Sequence, residues 1–224
     1  MLKLILFLKY TDWYINNLSL QSQFSYKMSK AEKTRQFIIE STAELFNKKG
    51  YAGTSLAHIS EATGLTKGSI YGNFDNKDEV AKEVYRFNAK RLQQGINENL
   101  NSGMTSRQKL MAFLDYYRNS WDNNFSRGGC PIMNTAIEAD DTMPFLKAEV
   151  VKSFEGWSDK LVEILEEGKS KNEIKDSTNI SEYSYLFIML IEGGILLSKS
   201  TDSQSHLLQA LERIEKIIDT ELIK

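Results

Sequence analysis

From Ser29 to the end of the chain, apolar residues recur at three- and four-residue spacing, and alternating stretches are almost absent. That period lays one apolar stripe along each helix and offers no face for a sheet, so the expected fold is all-α. Start and stop signals divide it into about nine helices. Ser29-Lys30-Ala31-Glu32 forms a capping box, with Ile38, Ile39, Thr42, Leu45 and Phe46 on one face, and Lys48-Lys49-Gly50 closes that helix with cations and a glycine. Asn76-Lys77-Asp78-Glu79 opens a long helix through Val80, Val84, Phe87, Leu92, Ile96 and Leu100, stopped by Asn101-Ser102-Gly103. Thr105 caps the next, which runs to Trp121; 123–131 is expected as a loop and 132–139 as a short helix. Thr142-Met143-Pro144 starts a helix reaching Gly168, with proline in the first turn where its missing N–H is harmless. The last two, 179–200 and 204–222, are the most apolar.

Residues 1–10 carry a five-residue apolar run, Leu4 to Leu8, between Lys3 and Lys9. It is too short to span a bilayer, which takes about 20 apolar residues, or to form a signal-peptide core of roughly 7–15. The favoured reading of 1–28 is a leader outside the fold, preceding a second methionine, Met28; the competing reading is a short membrane-surface anchor. No membrane partner is expected.

Several function classes are disfavoured by composition. A single cysteine, Cys130, cannot close an intramolecular disulfide, which fits a reducing, cytoplasmic setting. Only two histidines, His58 and His206, accompany it, so no metal site and no cofactor are expected. Neither a nucleophile triad nor a glycine-rich phosphate loop is present, and Asp140-Asp141 is explained by a turn, so the chain is not expected to be an enzyme. The net charge is −2, with 8 basic and 8 acidic residues in 29–83 and 17 against 21 in 84–224. Any nucleic-acid contact must rest on where individual lysines sit.

Residues 54–74, TSLAHISEATGLTKGSIYGNF, hold two short amphipathic helices around a tight turn. Thr54 is expected to cap the first, with Leu56, Ile59 and Ala62 inward; Gly64 supplies the positive φ of the turn. Thr66 caps the second, with Ile70 and Phe74 as its buried side. A helix that short needs a reason, and a helix-turn-helix gives one: the N-terminal residues of its second helix meet base edges in the major groove. Those residues are Thr66, Lys67, Gly68 and Ser69; Tyr71 and Lys77 are placed to hold phosphates on either side. His58 is expected on the solvent face, and Lys48 and Lys49 complement the helix dipole.

The stretch from Arg35 to Val84 resembles the tetracycline-repressor-like (TetR/AcrR) transcriptional regulators. The resemblance lies in Gly50-Tyr51, Thr54-Ser55, Ile59, Gly64-Leu65-Thr66-Lys67-Gly68-Ser69-Ile70-Tyr71, Phe74 and Lys77-Asp78-Glu79. Ser60, Thr63 and Gly72 depart mildly from the family pattern. The resemblance implies a DNA-binding unit at 29–76, with Thr54 among its contacts, and an effector-binding, dimerising unit at 77–224. It implies a homodimer joined through the last two helices, a near-palindromic double-stranded operator, and release of a repressor by a small apolar or aromatic effector. It also implies a cavity, for which Phe113, Tyr117, Trp121, Met133, Ile137, Phe154, Trp157 and Met189 are the candidate lining. Glu192, on an apolar helix, is either a polar anchor for a ligand or an exposed end. Cys130 is read as a packed or pocket-lining thiol, and Gly193-Gly194 as marking close helix approach or room for ligand.

Overall fold

A computed structural model describes residues 29–224; the leader and anchor readings of 1–28 lie outside the described residues. Ten α-helices follow in order: α1 Lys30–Gly53, α2 Leu56–Thr63, α3 Lys67–Tyr71, α4 Lys77–Asn97, α5 Ser106–Asn119, α6 Trp121–Ser126, α7 Pro131–Ala139, α8 Pro144–Ser170, α9 Ile180–Ser200 and α10 Ser205–Ile217, with a π-helical end at Ile218–Leu222. Among the described residues the only strand-like pairing is an isolated antiparallel bridge, Ile174 to Ile223.

The caps explain most boundaries. Ser29 and Glu32 form a reciprocal box at α1, Thr66 Oγ1 accepts from Ser69 N, Asn76 caps α4, and Thr105 with Gln108 forms another box at α5. The tenth helix, α6, lies where a loop was expected. Gly128 and Gly129, both at positive φ, end that helix rather than extending a loop back to Asn123. Helix α1 also continues past Gly50, which at φ 70°, ψ 178° breaks it without ending it.

Two further expectations are corrected within the helix-turn-helix. Ser55, not Thr54, caps α2 by accepting from His58 N, and His58 Nδ1 in turn accepts from Ser55 N. Thr54 is fully buried, its hydroxyl donating to Gly50 O at 2.7 Å. Ala62 is exposed; Thr63 takes the inward place, its hydroxyl bonded to Ile59 O at 2.8 Å.

Two apolar clusters organise the chain. Ile38, Ile39 and Phe46 of α1, Ile59 of α2, Ile70 of α3, Phe74, and Val80, Ala81 and Val84 of α4 form the first. Burying side chains of this size contributes roughly 1.5–3 kcal/mol each, which is what holds the five-residue α3 in place. The second cluster runs from the rest of α4 to Leu222. Helix α4 enters both, so it is the rigid element shared by the two halves.

Helix α9 is long and apolar enough to cross a membrane by length and composition, with mean hydropathy 1.4. In the fold its Phe187, Ile188, Ile191 and Ile195 pack inward. Gly194 lets α10 approach: a Cβ there would lie 3.0 Å from both Ala210 Cβ and Leu207 Cα. Gly193 has open space beside it. Ser158 and Ser184 share a buried hydrogen bond of 2.9 Å that ties α8 to α9.

Candidate nucleic-acid interface and interior cavities

Helices α2 and α3 cross at Gly64, which takes φ 68° with nothing within 4 Å of a Cβ placed there. The turn therefore needs glycine for its backbone and not for space. Beyond it Thr66, Lys67, Gly68 and Tyr71 are exposed, Ser69 is partly so, and Ile70 is buried. One face of α3 thus presents a hydroxyl, an ammonium, a backbone opened by glycine and a phenol, while the other holds the helix to its core. Lys67 has no carboxylate within ion-pair distance among the described residues.

Lys77 is placed differently. Its ammonium donates to Tyr51 O at 2.6 Å and lies 4.0 Å from the Tyr51 ring centroid. The Tyr51 hydroxyl donates to Asp78, and that bond with partial burial pushes the phenol up to about 12. Lys77 therefore fastens the start of α4 to α1. Arg35 makes a parallel tie, donating to Asn73 O and to Glu79, both at 2.6 Å, with its guanidinium 4.1 Å over Phe74. The buried Thr54 side chain cannot reach DNA in this arrangement.

The expected effector residues separate. A cavity of about 240 Å³ between α4, α5, α6 and α7 is lined by Tyr117 and Trp121, with Arg91, Tyr116, Phe125, Arg127 and Cys130. A second, of about 460 Å³ between α4 and α8, is lined by Phe113 and Trp157, with Tyr85, Arg86, Glu149 and Lys152. Met133 is buried core and Phe154 packs partly buried against it, lining neither. Ile137 and Met189, expected as cavity lining, are each 62% exposed and line neither cavity. Met189 instead joins Tyr185, Leu196 and Leu197 in an exposed apolar face of α9.

Glu192 is enclosed at its carboxylate, although its stem is partly exposed. Burial pushes it up to about 7, opposed by the Cys130 thiol, which donates to Oε1 at 2.9 Å; Oε2 has no partner. Burial and that carboxylate hold the thiol well above its usual range. A thiol so placed stays protonated and is a poor nucleophile, which favours the packed reading of Cys130.

The profile described as "Bacterial regulatory proteins, tetR family" matches residues 38–84, and "Tetracyclin repressor-like, C-terminal domain" matches residues 106–214. A TetR-family transcriptional regulator from Cytophaga hutchinsonii superposes with a TM-score of 0.82 at 38% identity, over 86% of this chain and 96% of that one. The chain belongs to the TetR family of transcriptional regulators. It is also similar to the uncharacterized HTH-type transcriptional regulator YxaF of Bacillus subtilis (strain 168), 26% identical over 85% of this chain and 98% of that protein. The HTH-type transcriptional repressor DhaR of Mycobacterium sp. (strain GP1) is 24% identical over 79% of this chain and 88% of its own length.

In this TetR-family chain the residues that tie the DNA-binding helices to the rest were not found by local pattern. Asn47 of α1 donates to the carbonyls of Arg127 (2.7 Å) and Gly129 (3.1 Å). Asn134 of α7 donates to Asn47 O and Oδ1 and to Gly128 O. Where α1 restarts after Gly50, the orphan amides of Tyr51 and Ala52 each donate at 2.7 Å to one oxygen of Glu138 on α7. The bonds between α1 and these segments join residues 80 to 87 positions apart.

Proposed function

We propose that the chain is a ligand-responsive repressor that binds a near-palindromic operator as a homodimer, works in the cytoplasm, and leaves DNA when a small aromatic effector binds. The observation that carries the reading is the exposed face of α3. Thr66, Lys67, Gly68 and Ser69 stand at its first turn with Tyr71 one turn on, on a helix fixed by Ile70 from behind. A dimer is supported by the face of α9, where the apolar Tyr185, Met189, Leu196 and Leu197 are 43–62% exposed opposite the buried Phe187, Ile188, Ile191 and Ile195. Two recognition helices then read half-sites about 34–36 Å apart. Repression is favoured by the Mycobacterium relative named as a repressor. If effector binding weakens DNA affinity, DNA weakens effector affinity by the same factor.

The test is a mobility shift with footprinting on DNA upstream of the chain's own gene, at two salt concentrations, with random DNA as competitor. A protected near-palindrome that survives competition supports the reading. Absence of binding at low salt by the unliganded protein overturns the repressor reading.

A further inference from the structure

The smaller cavity differs from an ordinary apolar pocket in the charge at its edge. Arg91 of α4 lines it half-buried, and among the described residues its guanidinium has no hydrogen-bond acceptor and no carboxylate within 4.0 Å. Its nearest aromatic is Phe87, 5.7 Å from ring centroid to guanidinium carbon. Arg127, on the same rim, is held at 3.6 Å by Glu44 of α1. Among the described residues Glu44 is the one carboxylate paired with either guanidinium; Glu98, which also lines the cavity, is exposed to solvent and pairs with neither, so the surplus positive charge is partly removed from water. Desolvation and the repulsion of Arg127 both lower the Arg91 pKa, which marks the site as short of a negative partner.

Aromatic rings form the cavity's sides. Tyr116 and Tyr117 meet edge to face at 5.2 Å, and Trp121 and Phe125 lie 5.1 Å apart. The last two belong to α6, none of whose residues is fully buried. The helix is therefore held over the cavity by two half-covered rings, and a flat ligand beneath it would complete their packing.

We propose that this cavity binds a one- or two-ring aromatic carboxylate, its rings against Tyr116, Trp121 and Phe125 and its carboxylate on Arg91, with Arg127 as second donor. The inference rests on the ligand-responsive reading above and supplies its effector class. A single unpaired guanidinium matches a single negative charge, and its planar fork matches a carboxylate in two parallel hydrogen bonds. About 240 Å³ accommodates one or two rings and little more. Arg127 also gives the ligand a route to DNA. A carboxylate that draws its guanidinium competes with Glu44, and the Arg127 carbonyl is the acceptor for Asn47, so both attachments lie on α1.

The experiment titrates the full chain with 1-naphthoate and, separately, with 1-naphthamide, which keeps the rings and removes the charge, reading tryptophan fluorescence and the melting temperature. The acid is expected to bind about tenfold more tightly than the amide, the worth of one charge-assisted hydrogen-bonded pair. Arg91→Gln is expected to bring the ratio to about one, and Arg91→Lys to keep part of it. Trp121→Phe is expected to weaken acid and amide alike. Circular dichroism melts of each variant establish that it is folded. Equal affinities in the parent, no binding of either compound, or a tenfold preference retained in a folded Arg91→Gln overturns the proposal. These results are separate from the operator test: a chain that binds the acid but no DNA refutes the repressor reading, and one that binds its operator but does not prefer the acid refutes only the effector class.

Discussion

Replacing Glu138 with alanine tests how the DNA-binding helices are held to the rest of the chain. Its two carboxylate oxygens accept from the amides of Tyr51 and Ala52, both at 2.7 Å. Those amides exist as free donors because Gly50 breaks α1 and the helix must restart. A hydrogen bond to a charged group contributes about 1.5–3 kcal/mol. Glu138 is partly exposed, so water replaces some of what is lost, and the pair should amount to about 2 kcal/mol. In a chain of this size about 1 kcal/mol shifts the melting temperature by roughly 2–4 °C. Glu138→Ala should therefore melt about 4–8 °C below the parent, followed by circular dichroism at pH 7 and fixed protein concentration. Glu138→Gln keeps one good acceptor and should fall about halfway. Gly50→Ala should be worse than either, because its φ of +70° resists a side chain and a Cβ would come within 2.6 Å of Glu138 Oε2. A Glu138→Ala protein that melts with the parent would refute the assignment of these bonds as a stabilising tie between α1 and α7 beside that of Asn47 and Asn134.

Three other outcomes are expected. Glu192 is raised from 4.5 to about 7 in the folded chain, so the native state holds its proton more tightly; the stability this provides is complete below about pH 4.5 and is lost as pH rises through 7. The span is about 3 kcal/mol, and urea midpoints across that range should lose this slope in Glu192→Gln; an unchanged slope counts against an enclosed carboxylate. Gly194→Ala should cost about 1–3 kcal/mol by crowding the backbone of Leu207, whereas Gly156→Ala, with nothing within 4 Å, should stabilise α8 by up to about 1 kcal/mol; denaturant titration would expose any reversal of that order. Lys67→Gln should lower the slope of log affinity against log salt by about 0.9 if the ammonium meets a phosphate, while Lys77→Gln should also lower the melting temperature through loss of its bond to Tyr51.

Helix type and most helix starts were legible because they are decided locally. Ser29, Thr66, Asn76 and Thr105 each bond the amide three residues on, and sequence spacing records that directly. Thr54 and Ser55 show where this stops. Both carry the right hydroxyl, and the choice between them is made by Gly50, whose carbonyl takes the Thr54 hydroxyl and leaves Ser55 to cap. The exposed face of α3 was readable from the helix-turn-helix pattern, whereas the cavity was not. Phe113, Tyr117, Trp121, Trp157, Ile137 and Met189 are alike in composition, and only the packing of distant helices sends two pairs to separate cavities and the last two outward. Arg91 and Glu138 went unnoticed for the same reason: a cation or carboxylate on a helix surface looks solvated until another element covers it.

The run from Arg127 to Pro131 touches α1 through Asn47, α7 through Asn134 and α9 through Lys199, whose ammonium donates to Gly128 O. A Cβ at Gly128 would press on the backbone of Asn47, and one at Gly129 on the Lys199 side chain. This is a joint with no slack. Displacements of α6 and of α9 both bear on α1 through these few peptide groups, beside the separate ties that α4 and Glu138 provide. The rings of Tyr116, Trp121 and Phe125 sit outside the joint. Substitution there would alter the proposed ligand site while leaving these hydrogen bonds in place, so ligand choice could change without rebuilding the joint.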